Sequence, residues 1–270
     1  MPSQEYSRAV RQVRERLAKY AALLWESLPA YRDADMERFV AQLVPRVLAG
    51  QVAIANLTAA DLARELGTTP ALVDREWVTG GRHAIVGSGE VPPTEVYGRP
   101  FTTVHAELAE GAALQAAVAA GRDRLVSLVT TDLQLAKVRQ ADRSMRSAGV
   151  KKFRRVLTGA ENCALCAVAS TQRYHVGDLL PIHPGCDCEV EPMPDGWDGD
   201  RVIDPDLLEQ VHQSISDKVG DSDRAGRAVD YRKLLLVREH GEIGNVLTWR
   251  HQNFTSAADI PKYKTTRRRR

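Results

Sequence analysis

Residues 149–193 read GVKKFRRVLTGAENCALCAVASTQRYHVGDLLPIHPGCDCEVEPM, and here the pattern of the chain changes. Upstream, apolar residues recur at helical spacing for more than a hundred positions. From Lys151 to Met193 the chain consists of short runs broken by Gly, Pro and Cys, which predicts small strands and loops around one compact site. All four cysteines fall between positions 163 and 188. The expected fold is therefore mainly α with a small α+β Cys/His module. It comprises a helical N-terminal region (1–90), a long helical hairpin (91–150), the module itself (151–193), and an acidic linker, short helix and basic extended tail (194–270).

Within the N-terminal region, Val10, Val13, Leu17, Ala21 and Leu24 form one apolar stripe, predicting a helix over 5–28 that ends near Pro29. A second helix is expected to start at Asp33 or Asp35 and to bury Met36, Phe39, Val40, Leu43 and Val47. A third is expected from Thr58 to Gly67, and a fourth from Thr69-Pro70 to about Val78, since proline suits the first helical position. Gly80, Gly81, Gly87, Gly89, Pro92 and Pro93 form the clearest break in this half. Beyond it an Ala-rich helix is expected to end at Gly121, followed by a second from 122 to 148 that stops at Gly149; together they make a hairpin. A helix is also expected over 206–218.

The chain has 270 residues, 43% hydrophobic but only 6% aromatic, so its core is built from Ala, Leu and Val. That composition favours helices over sandwiches or barrels. The formal net charge of +2 excludes nothing, but its distribution is uneven. Residues 137–155 carry eight Lys/Arg against Asp142, residues 187–223 carry twelve Asp/Glu against Arg201 and Lys218, and the last nine residues hold six basic groups. Lys151, Lys152, Arg154, Arg155 and Arg267, Arg268, Arg269, Arg270 are the candidate nucleic-acid contacts, by non-specific counterion release. No stretch approaches the ~20 apolar residues of a membrane span, and the charged N-terminus lacks a signal-peptide apolar core. A cytosolic site of synthesis and no membrane partner are expected.

In a reducing compartment, clustered cysteines point to metal before disulfides. Cys163-Ala-Leu-Cys166 can chelate one tetrahedral ion through both thiolates, and His183-Pro-Gly-Cys186 can do so through imidazole and thiolate. The candidate ligands are Cys163, Cys166, His183, Cys186 and Cys188, five groups for four positions, with Cys186 against Cys188 left open and His175 a spare. Zn²⁺ suits this soft set, and a closed four-ligand site is structural, leaving no position for water or substrate. It would brace a loop-rich module too small to bury enough apolar surface alone.

The stretch RVLTGAENCALCAVASTQRYHVGDLLPIHPGCDCEVEP resembles the Mu F-like core of phage head-morphogenesis proteins, a class of minor capsid proteins. The matching positions are Cys163, Cys166, Tyr174, His183, Pro184, Cys186 and Cys188. VYGRPF at 96–101 and EHGEIGNVLTWRHQNFT at 239–255 are similar to segments of versions from phages of actinobacteria, so the resemblance spans roughly 90–255. It implies a non-enzymatic, low-copy component inside the phage head. Its implied partners are the portal, the major capsid or scaffold protein and, non-specifically, packaged DNA.

Two other readings compete. His105-Ala-Glu107 followed by Cys163-x-x-Cys166 resembles a zinc deaminase signature, in which a non-ligating Glu shuttles protons. Against it, Asn162 stands where that signature has Pro, the gap is long, and the HPxCxC ending is left unexplained. TAADLARELGTTPALVDREWV at 58–78 looks like a DNA-binding helix-turn-helix, though Asp74 and Glu76 suit a phosphate-lined groove poorly.

Overall fold

The computed structural model describes residues 2–79, 92–158, 164–177, 186–197, 199–219, 235–240 and 244–249. Seven helices and five strands lie among these residues. Helix α1 (Gln4–Glu26) begins at Ser3, whose hydroxyl accepts from the Tyr6 N–H at 3.2 Å and donates to Asp61 at 2.7 Å. That hydroxyl caps the helix and ties it to α2 (Asp33–Leu66). The connecting turn passes through Tyr31, a non-glycine residue at φ 54°, whose ring packs 4.9 Å from Trp25.

Helix α2 runs unbroken where two helices were expected. Pro45 lies within it, and the small residues around Gly50 let it pass close to its neighbours. A Cβ at Gly50 would meet Leu17 at 2.9 Å and Leu133 at 3.2 Å. By length and composition α2 could cross a membrane, which the sequence reading missed because polar residues are scattered along it. Here its apolar residues Phe39, Leu43, Val47 and Ile54 belong to the protein core.

The fourth expected helix shrinks to α3 (Arg75–Thr79), with residues 69–74 outside any helix. The segment 58–66 forms the last turns of α2, with Thr58 and Asp61 buried. Among the described residues no helix covers 69–74, where the helix-turn-helix reading placed the start of its recognition helix.

The hairpin of α4 (Pro93–Ala109) and α5 (Leu114–Ser147) forms as expected, but its turn lies at 110–113 and not at Gly121. Gly121 is a crossing point inside α5. A Cβ there would fall 2.7 Å from both Trp25 and Val104. The glycine permits close helix approach and ends nothing.

Helix α5 is the axis of the body, buried without interruption from Thr131 to Ala141 by α1, α2, α3 and α4 packed round it. At the far end of the bundle Trp25 meets Phe39 and Phe101 edge-on, at 5.6 and 4.8 Å between ring centroids. After α5 the chain enters a three-stranded antiparallel sheet in the order β2-β1-β3, made of β1 (Lys152–Val156), β2 (Arg173–His175) and β3 (Glu189–Pro192). Helix α6 (Ala164–Ser170) links β1 to β2, and α7 (Pro205–Val219) packs on α6. A separate antiparallel hairpin joins β4 (Leu235–His240) to β5 (Gly244–Trp249).

Candidate metal centre

Strand β1 alternates, so Phe153 and Arg155 turn inward and Lys152, Arg154 and Val156 outward. Phe153 pairs with Tyr174 on β2, the rings stacked at 5.4 Å. The inward face of this sheet and α6 enclose three thiols. Cys166 sits on α6, and Cys186 and Cys188 lie on the extended approach to β3. All three are buried, at 2–3% exposure. Sγ of Cys186 lies 3.1 Å from Sγ of Cys188 and 3.6 Å from Sγ of Cys166, and the three sulfurs lie within 4.8 Å of one another.

Four thiolates at ~2.3 Å from a tetrahedral ion stand ~3.8 Å apart. The observed spacings match one face of such a tetrahedron, so Cys166, Cys186 and Cys188 lie close enough to bind one metal ion. Cys186 and Cys188 both bring their sulfurs to this group. Cys163 and His183, the other two candidate ligands, lie outside the described residues. His175, the spare, is exposed on β2.

The loop carrying Cys186 and Cys188 is held from outside by side chains. Arg14 of α1 donates to the carbonyl of Cys186 at 3.1 Å. Lys137 of α5 and Thr158, just after β1, both donate to that of Asp187, at 2.9 and 3.2 Å. Gln134 of α5 donates to that of Cys188 at 3.2 Å. Three consecutive carbonyls are thus taken up by the helical body and the end of β1, which satisfies backbone groups that have no place in a sheet. The void beside Cys188 is only ≈ 20 Å³, about the room for one water.

The electrostatics favour a negative sulfur at Cys188, whereas the Cys186 thiol is pushed up to about 12: its hydrogen bond with Cys166 would lower it, but the hydrogen bond with Cys188 and burial outweigh that. Cys188 is held well below the usual thiol range by hydrogen bonds from Cys166 and Cys186, against burial, with Arg155 and Lys137 adding to the effect. Arg155, 2% exposed, donates to Cys188 Sγ at 3.5 Å and lies over the Tyr174 ring at 5.4 Å. Burial is the largest single influence and would lower its affinity for the proton, but Cys188, Tyr174 and Cys186 together outweigh it and raise that affinity. Burial pushes Lys137 down and Glu189 up, and each opposes the other's shift across the same space.

Comparison with family models, curated proteins and solved structures finds no match.

Of the basic residues in 137–155, Lys137, Arg139 and Arg155 are buried, Arg143, Lys152 and Arg154 half-buried, and Arg146 and Lys151 exposed. Arg139 donates to the carbonyl of Trp77 at 3.3 Å, and Arg143 faces Asp74 at 3.4 Å. Of the four module residues proposed to meet DNA, Arg155 is buried against Cys188, and Arg154 bonds Glu191 at 2.6 Å. Lys152 bonds the carbonyl of Trp197, while Lys151 is exposed. Arg267, Arg268, Arg269 and Arg270 lie outside the described residues. His105 is exposed on α4, and no histidine stands with the thiols among the described residues, so the deaminase arrangement is not assembled there.

The loop clamp went unseen in the sequence, because Arg14, Gln134 and Lys137 lie far from the cysteines along the chain. Arg155 carried a signal: in a strand read as KFRRV it shares a face with Phe153.

Proposed function

We propose that the protein is a structural minor capsid component of a tailed phage, of the Mu F-like head-morphogenesis class, acting inside the head near the portal. The thiol group is a zinc brace within it, with three ligands from Cys166, Cys186 and Cys188 and a fourth from Cys163 or His183. The observation that carries this reading is the burial of three thiols together, one on α6 and two in a loop clamped to the helical body. A catalytic zinc site keeps an open position, whereas a structural one is closed.

Support for the phage head comes from the HPxCxC ending and its flanking segments. The partners implied are the portal protein and the major capsid or scaffold protein. Packaged DNA would be met by the tail through Arg267–Arg270, by counterion release. A large helical body rigidly joined to a small braced module offers a fixed shape for assembly contacts.

Mass spectrometry of purified particles tests the assignment. The chain is expected in full heads at low copy, together with zinc in the isolated protein. Its absence from particles of the phage that encodes it would remove the capsid role, whatever the metal content. Zinc-free protein of unchanged stability would remove the brace and leave the capsid role standing.

A further inference from the structure

We infer that the outer face of the module's sheet is a phosphate-binding surface for DNA, centred on Arg173 and Arg201. The inference adds a folded contact to the basic tail of the proposed function, and rests on that reading for the identity of the polymer.

Strand register brings the residues together. Arg154 on β1 stands opposite Glu191 on β3 and opposite Arg173 on β2. Beyond β2, Gln172 faces Val202 across an isolated bridge, and the Arg173 N–H donates to the carbonyl of Arg201 at 2.9 Å. Four neighbouring segments thus contribute one transverse row, in the order Arg201, Arg173, Arg154, Glu191. Side chains alternate along a strand, and Phe153, Tyr174 and Gln172 are buried, so the row lies on the other, outer face. Arg201 is exposed there, and Arg173 and Arg154 are half-buried.

The fold neutralises only one end of this row. Arg154 donates through Nε to Glu191 at 2.6 Å. Neither Arg173 nor Arg201 forms an ion pair among the described residues, and Nε of Arg173 has no hydrogen-bond partner there. Like charges directly opposite on neighbouring strands, ~5 Å apart, destabilise a sheet. Asp195 and Asp200 are exposed and close to Arg201 along the chain, yet among the described residues neither pairs with it or with Arg173. An external anion is what the row lacks. Guanidinium presents a planar fork of donors that fits two phosphate oxygens at once. Two such forks at strand spacing, held by the ladder, make a platform for a phosphodiester backbone. Contacts of this kind hold the backbone and read no base, so binding is independent of sequence.

Fluorescence anisotropy of the full-length chain with a labelled duplex of random sequence, over a salt series, tests the surface. Wild type is expected to bind with an affinity that falls steeply as salt rises. Arg173→Gln combined with Arg201→Gln should weaken binding by about 10-fold or more. It should also reduce the slope of log affinity against log salt by about 2, one for each lost phosphate contact. The same reduction is expected in a chain that also carries Arg267→Gln, Arg268→Gln, Arg269→Gln and Arg270→Gln, so the tail does not account for it. If the double variant fails to fold, Arg201→Gln alone, at an exposed position, should lower the slope by about 1.

Unchanged affinity and slope in these variants would overturn the inference and leave the tail as the DNA contact. Polyglutamate that displaces the duplex as well as polyphosphate does, charge for charge, would overturn it in favour of an acidic protein partner. A wild-type chain that binds no duplex would remove the DNA reading itself, and the inference with it. The capsid role is read separately, from the particles.

Discussion

In the helical body, Trp25 touches Phe39, Phe101 and Tyr31 with ring centroids 4.8–5.6 Å apart, and its indole N–H donates to the carbonyl of Val118 at 3.1 Å. Around Cys188 a second apolar cluster joins Phe153, Leu165 and Tyr174 to Leu62 of α2 and Val138, Ala141 and Met145 of α5. The remaining contacts there are hydrogen bonds to loop carbonyls, a buried arginine and three thiols. The body is held by area removed from water, which is non-directional and scales with helix length. The module has the smaller apolar cluster and adds directional contacts around three thiols that lie close enough to bind a metal ion. Two regions of one chain thus reach stability by different routes, and the donors from Arg14, Gln134 and Lys137 join them.

The largest expected effect falls on the module. Cys188→Ser should cost on the order of 5 kcal/mol or more, since structural zinc supplies roughly 10–16 kcal/mol of apparent binding energy to small modules. Thermal unfolding with and without a chelator checks this. Wild type should be destabilised by the chelator, and the variant should be indifferent to it. Equal chelator sensitivity in both proteins would break the contrast between the regions.

Next comes Trp25→Ala in the body, expected to cost about 3–5 kcal/mol through the cavity it opens. Urea unfolding should show the loss equally with and without the chelator. A Trp25→Ala protein that also bound zinc more weakly would show that the carbonyl clamp couples the two regions into one cooperative unit.

Gly121→Ala ranks third. The added methyl must displace Trp25 and Val104, each 2.7 Å from it. The expected cost is about 1–3 kcal/mol, despite alanine's better helix propensity. A stabilised variant, read from its urea midpoint, would mean that Gly121 ends a helix, as the sequence reading had it, and is not a crossing point inside α5.

The smallest effect concerns acid. Asp35 accepts from the Arg32 backbone N–H at 3.2 Å and from Arg38 at 2.6 Å. The Arg32 backbone bond, followed by that of Arg38 and against burial, holds its carboxyl below the ordinary 3.8. With the folded value below the unfolded one, its stabilisation is complete above the ordinary value. It is lost as pH falls through the depressed one. Asp35→Asn should therefore flatten the acid limb of stability below about pH 4, seen by comparing urea midpoints of the two proteins from neutral to acid pH.

Much of the fold was legible in the sequence, because helical periodicity and composition are local signals. The stripe Val10, Leu17, Ala21 marked the buried side of α1, and the break in pattern after Gly149 marked where the sheet begins. Local punctuation misled where glycine served packing. Gly121 was read as a stop and is a crossing point. The gap between two predicted helices around Gly50 is the middle of one, because neighbours on several sides stabilise a stretch with weak periodicity of its own. Of the site, three of five candidate ligands are seen together, while Cys163 and His183 lie outside the described residues.

The sequence by itself determined that this chain is helical with a small cysteine module, since periodicity, residue size and ligand spacing act over a few neighbouring positions. Only the tertiary structure decided where the basic residues go. Lys137, Arg139 and Arg155 look like a surface along the chain, yet each is buried against a carbonyl or a thiol. A charge finds its partner across space, over separations such as the 33 residues from Arg155 to Cys188, and no local pattern records that distance.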